Sequence, residues 1–483
     1  MQDLVIELRN DGTRLYQQIY AHIRDEIREG KLLYREKLPS TRSLAEYLQV
    51  SRSTVELAYE QLLAEGYLES VPYKGYYVAQ VEELYRIEVG KGRKAEEKAG
   101  ARPRYRVDFS PNAIDMRQFP FGVWRRISRN ILSQDNQETF LPGDARGDRE
   151  LRETIVRYLH ASRGVNCTAD QIVVGAGNDY LLLLLRFLLG EGRHVVFENP
   201  TYPRAYKIFG LYAGSLRTVA SDENGIRVDL LPEEADTVYV MPSHQYPTGV
   251  IMPIGRRLEL LKWTAQKPGR YVVEDDYDSE FRYRGKPIPS LQASDRLGRV
   301  IYIGTFSKAI APAIRVSYMV LPPELLELYE RRCGIFSSTV SRIDQAVLNE
   351  FIRDGAFERH LNRMRKVYRE KHDLLLAGLE PFRRDFILSG ENAGLHVLLT
   401  DKKGRREEAL REAAAEEGVR VYGLSEAMVG PKDMADGQGA TLLLGFGGLT
   451  GQEIVSGIGL LARAWEVQAD IEPGKVDFHE TGM

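Results

Sequence analysis

From about residue 107 onward, patterns typical of helices alternate with short apolar runs typical of strands. The runs cover residues 172–174, 194–197, 237–241, 271–274 and 300–303. This alternation predicts an α/β domain with a mainly parallel sheet, because each parallel pair of strands needs a long, usually helical, connection. Ligand sites in such sheets lie at the carboxyl ends of the strands. The residues that follow each run are therefore the first candidates for a functional site.

The last of these runs leads into a hydroxyl-rich loop that ends at Lys308. Thr305 and Ser307 can donate hydrogen bonds to a phosphate, and Arg315 can add a charge-assisted pair. A lysine beside a phosphate site is what the Schiff base of pyridoxal 5′-phosphate (PLP) requires, because burial and neighbouring cations lower its pKa. A lone lysine is more often a solvated surface cation. The convergence of these residues favours a PLP lysine here.

The earlier runs end in residues that could complete such a site. Gly177 and Asn178 open a helical pattern after the run 172–174, so backbone N–H groups there can hold a phosphate. Tyr202 follows the run 194–197 and could stack on a planar ring. Each signal is weak alone, because a glycine-rich turn is often only a tight connection and a tyrosine is often core.

Acidic residues end the run 271–274. A carboxylate at Asp275 could keep a pyridine nitrogen protonated, which makes the ring an electron sink. The phenol of Tyr277 could donate a hydrogen bond to the 3′-oxygen of the cofactor. The alternative is a solvated acidic loop. We prefer the cofactor site because Lys308 follows Asp275 by 33 residues, at the end of the next strand.

The first 80 residues have the pattern of a winged helix-turn-helix. Apolar residues recur every fourth position from Leu15 to Ile27, and two short helices are expected, one from Thr41 and one capped by Ser51 or Ser53. The alternating segments 67–71 and 75–79 predict a two-stranded wing.

In that arrangement, the second of the paired helices begins in the major groove of DNA. The expected DNA contacts are Arg42, Ser51, Arg52, Ser53, Thr54 and Lys74. The alternative is a packing module with a solvated surface, and residues 1–79 do carry a net charge of −2. The pattern of residues 39–45, 50–55 and 74–78, which strongly resembles the GntR family of bacterial repressors, favours DNA.

Composition limits the remaining possibilities. The 483-residue chain has a formal net charge of −3 and two cysteines, so neither bulk attraction to nucleic acid nor a disulfide framework is expected, and we predict no metal site. No signal peptide or membrane span is evident, which predicts a cytoplasmic protein. Residues 81–106 are a flexible basic linker, with a net charge of +5 over residues 90–106. Those cations could add non-specific attraction to DNA.

Five motifs resemble the MocR/GabR family of bacterial regulators, which join a GntR-type winged helix to an aminotransferase-like domain of PLP fold type I. They are Pro39-Ser-Thr-Arg-Ser-Leu-Ala, Val50-Ser-Arg-Ser-Thr-Val, His244-Gln-Tyr-Pro-Thr-Gly, Glu274-Asp-Asp-Tyr-Asp-Ser-Glu-Phe-Arg-Tyr and Gly304-Thr-Phe-Ser-Lys. The resemblance implies a head-to-tail homodimer that binds double-stranded operator DNA. It also implies that an amine effector displaces Lys308 and changes how the DNA is held.

The resemblance also implies a role for each site residue. Lys308 forms the internal aldimine, Asp275 faces the pyridine nitrogen, Tyr277 meets the 3′-oxygen and Tyr202 stacks on the ring. The phosphate is held by Gly177, Asn178, Thr305, Ser307 and Arg315.

Two departures from catalytic aminotransferases bear on the chemistry. Tyr246 stands where those enzymes usually carry an asparagine. Residues 437–446 contain no arginine for the α-carboxylate of a substrate, and Arg420 is the nearest arginine upstream. Arg204 matches a carboxylate-binding arginine of the GABA-responsive relatives and is the remaining candidate, unless it is an ordinary rim cation. We therefore expect at most weak or partial aminotransferase activity.

The sequence thus predicts a PLP-dependent transcriptional regulator that senses an amine or amino-acid-like effector. Effectors across the family include GABA, taurine, a D-alanyl dipeptide and vitamin B6, and the sequence does not choose among them. The predicted division is a winged helix at 1–80, a linker at 81–106, a PLP domain at 107–470 and a loose tail at 471–483. Two alternatives stay open: an aminotransferase of 2-aminoadipate or aromatic type, and a repressor whose large domain has lost its cofactor.

Overall fold

The computed structural model describes residues 6, 8–9, 12–80, 105–133, 137–211, 214–283, 288–430 and 439–468. The chain divides into two compact units, Met1–Arg102 and Pro103–Met483. Nearly all of the predicted linker 81–106 and the whole predicted tail 471–483 lie outside the described residues.

The first unit contains three helices followed by a hairpin. They are α1 (Leu15–Arg28), α2 (Thr41–Leu48), α3 (Arg52–Ala64), β1 (Leu68–Val71) and β2 (Gly75–Val78). The four-residue apolar period of α1 buries Ile19, Ile23 and Ile27 against the other helices. The side chain of Ser51 accepts a hydrogen bond from the N–H of Thr54, so Ser51 and not Ser53 caps α3.

The wing is an antiparallel pair in which Leu68 lies opposite Val78. Its turn contains two residues in the left-handed region, Tyr73 at φ 63° and Gly75 at φ 108°. The wing packs on the helices through Tyr59, whose ring meets Tyr76 edge-on at 4.9 Å between centroids. The predicted winged helix is therefore confirmed.

The helices of the second unit are α4 (Phe121–Ser133), α5 (Arg149–Arg163), α6 (Asn178–Leu189), α7 (Pro203–Gly210), α8 (Ile254–Ala265), α9 (Pro323–Cys333), α10 (Arg342–Arg353), α11 (Ala356–Leu379), α12 (Glu407–Glu416) and α13 (Gly451–Ala464). Its strands are β3 (Val107–Asp108), β4 (Ile172–Gly175), β5 (Val195–Asn199), β6 (Leu216–Asp222), β7 (Gly225–Ile226), β8 (Thr237–Val240), β9 (Tyr271–Asp276), β10 (Val300–Thr305), β11 (Ser317–Val320), β12 (Phe386–Ser389), β13 (His396–Asp401), β14 (Val419–Arg420), β15 (Tyr422–Gly423) and β16 (Thr441–Gly445).

The main sheet of this unit has eight strands in the order β4-β11-β10-β9-β8-β5-β6-β7. The neighbours from β10 to β6 run parallel, whereas β11, between β10 and β4, and β7, at the edge, pair antiparallel. All five predicted runs are strands of this sheet, so the mainly parallel α/β fold is confirmed. A smaller antiparallel sheet has the order β12-β13-β16-β15.

Helix α6 is apolar over most of its length, yet it is not buried on every side. Most of its leucines are buried, but Leu183 is 37% exposed and Phe187 is 53% exposed. The Phe187 ring meets the Phe336 ring at 6.1 Å between centroids. No helix among the described residues is long and apolar enough to cross a membrane.

Candidate functional site

The ends of β9 and β10 bring the two central candidates to one edge of the sheet. The strands are parallel neighbours, and Asp275 lies opposite Ile303. The loop to Lys308 therefore leaves the sheet beside Asp275. Nζ of Lys308 lies 4.5 Å from the centroid of the Tyr277 ring. The structure thus brings Lys308, Asp275 and Tyr277 together, as the sequence predicts.

The amine of Lys308 is buried and has no hydrogen-bond partner among the described residues. Burial lowers the pKa of Lys308, and the negative charges of Asp278 and Asp275 only partly oppose this effect. A lowered pKa increases the fraction of neutral amine, which is the nucleophilic form. An unpartnered buried amine is costly for stability, and such groups cluster at functional sites.

The carboxyl of Asp275 is held by two donors. Its Oδ2 accepts a short hydrogen bond from the hydroxyl of Tyr239 and a second from Nδ2 of Asn178 at 3.2 Å. Burial raises the pKa of Asp275 to about 6, against the effect of these hydrogen bonds. The side chain of Asn178 is thus directed to Asp275.

The start of α6 forms a concave backbone surface. Gly177 precedes the helix at φ 93°, and a Cβ there would overlap the guanidinium of Arg315. Gly177 provides no capping side chain, so first-turn N–H groups remain available for an anion. Arg315 itself has φ 51°, and its Nη2 lies 3.6 Å from Oδ2 of Asp179.

The loop after β10 adds a hydroxyl with a defined direction. Oγ1 of Thr305 accepts hydrogen bonds from the N–H of Ser307 at 3.2 Å and from the hydroxyl of Ser317 at 2.9 Å. Because these donors occupy its lone pairs, the hydrogen of Thr305 is left to be donated elsewhere.

These residues fit PLP. The unpartnered amine of Lys308 suits an aldehyde, the buried carboxyl of Asp275 suits a protonated pyridine nitrogen, and the surface at Gly177, Thr305 and Arg315 suits a phosphate. The residues on which this fit rests come from three strand ends of one sheet.

A cavity of about 310 Å³ lies beside this site, and both Tyr202 and Tyr246 line it. Their rings meet edge-on with centroids 6.1 Å apart, and Tyr246 meets Tyr277 at 6.1 Å in the same way. Since Tyr277 contacts Lys308, a continuous row of aromatic rings connects the cavity to the amine. An effector that reacts at Lys308 can rest against these rings.

Arg204 and Lys207 bring positive charge to this cavity. Nη1 of Arg204 lies 3.1 Å from Oδ2 of Asp179, and the Arg204 side chain is 61% exposed. Arg420 does not line the cavity, because its guanidinium lies 3.7 Å from Asp108 and over the ring of Tyr422.

His244 and Asp278 are site residues to which the sequence analysis assigned no role. Nδ1 of His244 lies 2.9 Å and 3.1 Å from the two oxygens of Asp278 and 3.0 Å from the hydroxyl of Tyr277. Nε2 of His244 is buried without a partner in the described part of the chain, and the His396 ring lies 5.7 Å away. Both residues lie within motifs that resemble the MocR/GabR family, and this was the one sequence signal that could have indicated a role for them.

The candidate DNA contacts lie on the first unit. Arg42, Ser51, Arg52, Ser53 and Lys74 are exposed, and Thr54 is half-buried. Both arginines are paired on their own helices, Arg42 with Glu46 at 3.1 Å and Arg52 with Glu56 at 2.7 Å. The hydroxyl of Ser51 contacts those of Ser53 and Thr54 at 2.9 Å and 2.7 Å. The arginines and serines are thus accessible, but the hydrogen bonds that they make within the protein must break before these side chains can bind DNA.

Comparison with known families agrees with this division. Residues 15–78 match the gntR family of bacterial regulatory proteins, and residues 107–433 match the class I and II aminotransferases.

Several transcriptional regulators are similar to the chain over nearly its whole length. The HTH-type regulator YdeL of Bacillus subtilis is 38% identical, covering 94% of this chain and 97% of its own. The probable rhizopine catabolism regulatory protein MocR of Rhizobium meliloti is 33% identical, covering 95% of each chain. The pyridoxine biosynthesis regulator PdxR of Corynebacterium glutamicum is 32% identical, covering 88% of this chain and 91% of its own.

Solved structures similar to the chain carry PLP derivatives. Kynurenine aminotransferase of Pyrococcus horikoshii, in complex with PMP, is 27% identical with a TM-score of 0.66, covering 75% of this chain and 92% of its own. LysN of Thermus thermophilus, complexed with N-(5′-phosphopyridoxyl)-L-leucine, is 27% identical with a TM-score of 0.65, covering 74% of this chain and 92% of its own. The chain belongs to the MocR-type transcriptional regulators, which combine a gntR-family DNA-binding domain with a PLP-binding aminotransferase-like domain.

Proposed function

We infer that the protein binds operator DNA through its first unit and changes that binding when a primary amine reacts at Lys308. The observation that carries this inference is the buried, unpartnered amine of Lys308 in a chain that also contains a gntR-family DNA-binding domain. A lysine poised to form a covalent bond, next to a cavity of about 310 Å³, suits a receptor for small amines.

When bound, PLP supplies an aldehyde that reacts reversibly with primary amines and a ring that withdraws electrons. Lys308 is proposed to hold the cofactor covalently, and Asp275 to bind its pyridine nitrogen. Tyr202 is proposed to stack on its ring. Gly177, Thr305, Ser307 and Arg315 are proposed to hold its phosphate, together with the backbone of Asn178.

His244 and Asp278 would orient Tyr277. The carboxylate of Asp278 requires a proton on Nδ1 of His244, since the alternative tautomer would point a lone pair at a negative charge. With Nδ1 protonated, that nitrogen cannot accept a hydrogen bond from the hydroxyl of Tyr277, 3.0 Å away. The hydroxyl hydrogen of Tyr277 is then free to be donated to the 3′-oxygen of the cofactor.

The effector is proposed to be an amine or amino-acid-like molecule, with Arg204 as a binding residue for an acidic group. Arg204 and Lys207 both line the cavity. Arg204 must give up its ion pair with Asp179 before it can bind an acidic group of the effector. The name of PdxR suggests a vitamin B6 compound as an alternative effector. A cytoplasmic head-to-tail homodimer is proposed as the working assembly, with residues 81–106 as the tether.

Efficient transamination is not part of the proposal. It needs a substrate oriented for removal of its α-proton. The cavity beside Tyr202 and Tyr246 includes Leu443 of β16 among its described lining residues, and its only described arginine is Arg204. Binding an amine at Lys308 needs no such orientation.

The test combines absorbance with DNA binding. Wild type and Lys308→Ala are reconstituted with PLP, titrated with a panel of amines, and examined by fluorescence anisotropy with labelled operator DNA. We expect one amine to change both the cofactor spectrum and the DNA affinity of the wild type, and we expect Lys308→Ala to lack the aldimine absorbance band that the wild type shows before any amine is added. A spectral change without any change in DNA affinity would argue against sensing. Sustained formation of glutamate from an amino donor and 2-oxoglutarate would support the aminotransferase alternative.

A further inference from the structure

A second cavity of about 750 Å³ lies in the large unit, between α5, the start of α11, the end of α10 and residues 279–282. It shares no described lining residue with the cavity beside Tyr202. Six of its lining residues are arginines: Arg157, Arg163, Arg282, Arg353, Arg365 and Arg369. Among the described residues, the acids that line it are Glu280 and Glu358.

Two of these arginines form no ion pair with any described residue. Nη2 of Arg157 donates to the hydroxyl of Thr154 at 2.8 Å, and Nη2 of Arg369 donates to the carbonyl of Tyr283 at 2.9 Å. Both acceptors are neutral. Within the described ranges, neither guanidinium has a carboxylate at ion-pair distance. Both side chains are exposed and retain free N–H donors.

The acids of the cavity offset little of this charge. Glu358 is paired with Arg365, whose Nη1 lies 3.3 Å from its Oε1. Glu280 accepts a hydrogen bond from the hydroxyl of Tyr158 at 2.7 Å, and burial raises the pKa of Glu280 to about 7. A large fraction of Glu280 is therefore protonated and neutral near pH 7. The cavity keeps an excess of positive charge.

We propose that this cavity binds a small polyanion carrying phosphate or carboxylate groups. The planar fork of arginine matches both oxyanions through paired hydrogen bonds. A volume of about 750 Å³ suits a metabolite-sized ligand. The site is separate from the amine-binding site, so it goes beyond the function proposed above.

Arg163 connects this cavity to the end of β9. It is buried, and its Nε donates to Oδ2 of Asp276 at 2.8 Å. The hydroxyl of Tyr302 donates to the same oxygen at 2.6 Å. Asp276 directly follows Asp275, which is proposed to bind the pyridine nitrogen of PLP. A polyanion bound beside Arg163 would therefore act on the cofactor site through Asp276, whose negative charge is one of the causes that raise the pKa of Asp275.

The binding test uses full-length protein saturated with PLP, so that the phosphate position of the cofactor is filled. Pyrophosphate and citrate are titrated separately by calorimetry at constant ionic strength. We expect binding to the wild type, weakened about tenfold or more in Arg157→Gln/Arg369→Gln, because each variant residue loses charge-assisted hydrogen bonds. Arg157→Lys keeps the charge but loses the fork, and we expect intermediate affinity.

The matched control is Arg331→Gln/Arg332→Gln, which removes the same charge from α9 outside the cavity. Its affinity is expected to equal that of the wild type. Binding of pyrophosphate alone identifies a phosphate compound as the ligand class, binding of citrate alone a polycarboxylate, and binding of both an unselective polyanion site. The proposal is overturned if neither probe binds, or if the control loses as much affinity as the cavity variant. It is also overturned if the cavity variant binds the probes as tightly as the wild type does.

Discussion

Nδ1 of His244 lies 2.9 Å from Oδ1 of Asp278, and both side chains are almost fully buried. Burial opposes the ionisation of Asp278, but the charge and hydrogen bond of His244 outweigh it and hold the pKa of Asp278 below its usual range. Breaking one side of a buried pair is far more costly than never forming it. Removing either partner alone should therefore destabilise the fold.

We expect Asp278→Asn to lower the free energy of unfolding by about 3 kcal/mol, because it leaves His244 without its charged partner. Urea denaturation of the cofactor-free protein measures this change. Asp373→Asn is the matched control, because Asp373 also contacts a histidine, His372 at 3.1 Å, but is 67% exposed. Its cost should stay below about 1 kcal/mol. Equal costs for the two variants would contradict a structural role for the buried pair.

The buried carboxyl of Glu198 should make the stability of the protein depend on pH between about 5 and 8. It is fully buried at β5, with Oε1 accepting from the N–H of Met241 at 2.9 Å and Oε2 unpartnered in the described structure. Burial raises the pKa of Glu198 to about 8. The folded state thus keeps a proton that the unfolded chain releases near pH 4.3, roughly the pKa of an exposed glutamate. Stability should fall as the pH rises from about 5 to 8.

In Glu198→Gln this part of the pH dependence disappears, since the amide cannot ionise. We expect wild type to lose about 2 kcal/mol or more relative to the variant between pH 5 and pH 8, measured by urea denaturation at each pH. Glu223→Gln changes an exposed glutamate and should follow the wild type. Parallel profiles of Glu198→Gln and wild type would mean that Glu198 ionises freely.

Gly177→Ala tests the phosphate-binding surface. Gly177 has φ 93°, and a Cβ would overlap the guanidinium of Arg315. Gly192 has a similar φ of 78°, but nothing lies within 4 Å of an added Cβ. Both substitutions should cost about 1 kcal/mol of stability through backbone strain. Only Gly177→Ala should weaken PLP binding, by about tenfold or more, measured by fluorescence titration. If Gly192→Ala weakens PLP binding equally, the strain and not the contact is responsible.

Arg52 is expected to read DNA from the start of α3. Arg52→Ala should cost about 1–3 kcal/mol of affinity for an operator selected in vitro, if the guanidinium binds a base edge. Glu56→Gln should strengthen binding, because it frees Arg52 from the pair at 2.7 Å and removes a negative charge near the phosphates. Lys31→Ala, outside the helix-turn-helix, is the control. In anisotropy titrations, equal losses on operator and random DNA would indicate a phosphate contact instead.

Short-range patterns predicted the parts of the fold that depend on local chemistry. Apolar runs indicate strands, and the carboxyl ends of adjacent parallel strands must meet at one edge. Asp275 and Lys308 could therefore be expected together, and the register of β9 and β10 brings the strand ends that carry them together. The wing and the caps of the first unit follow from turn and capping chemistry in the same way.

Contacts between distant residues could not be predicted from such patterns. Arg163 and Asp276 are 113 positions apart, and nothing in either neighbourhood indicates the other. The same holds for Tyr239, whose hydroxyl binds Asp275, and for the pairing of His244 with Asp278. The exposure of Leu183 and Phe187 could not be predicted either, because an apolar run does not reveal which side of a helix is covered.

The order of the two units has a consequence for the newly made protein. Ribosomes release the amino end first, so the DNA-binding unit is complete while the strands that carry Asp275 and Lys308 have yet to be synthesised. The phosphate-binding surface forms later still, because it also needs Arg315, which lies close to Gly177 and is synthesised after Lys308. During its own translation, each copy thus completes its DNA-binding unit before its proposed amine-binding site exists.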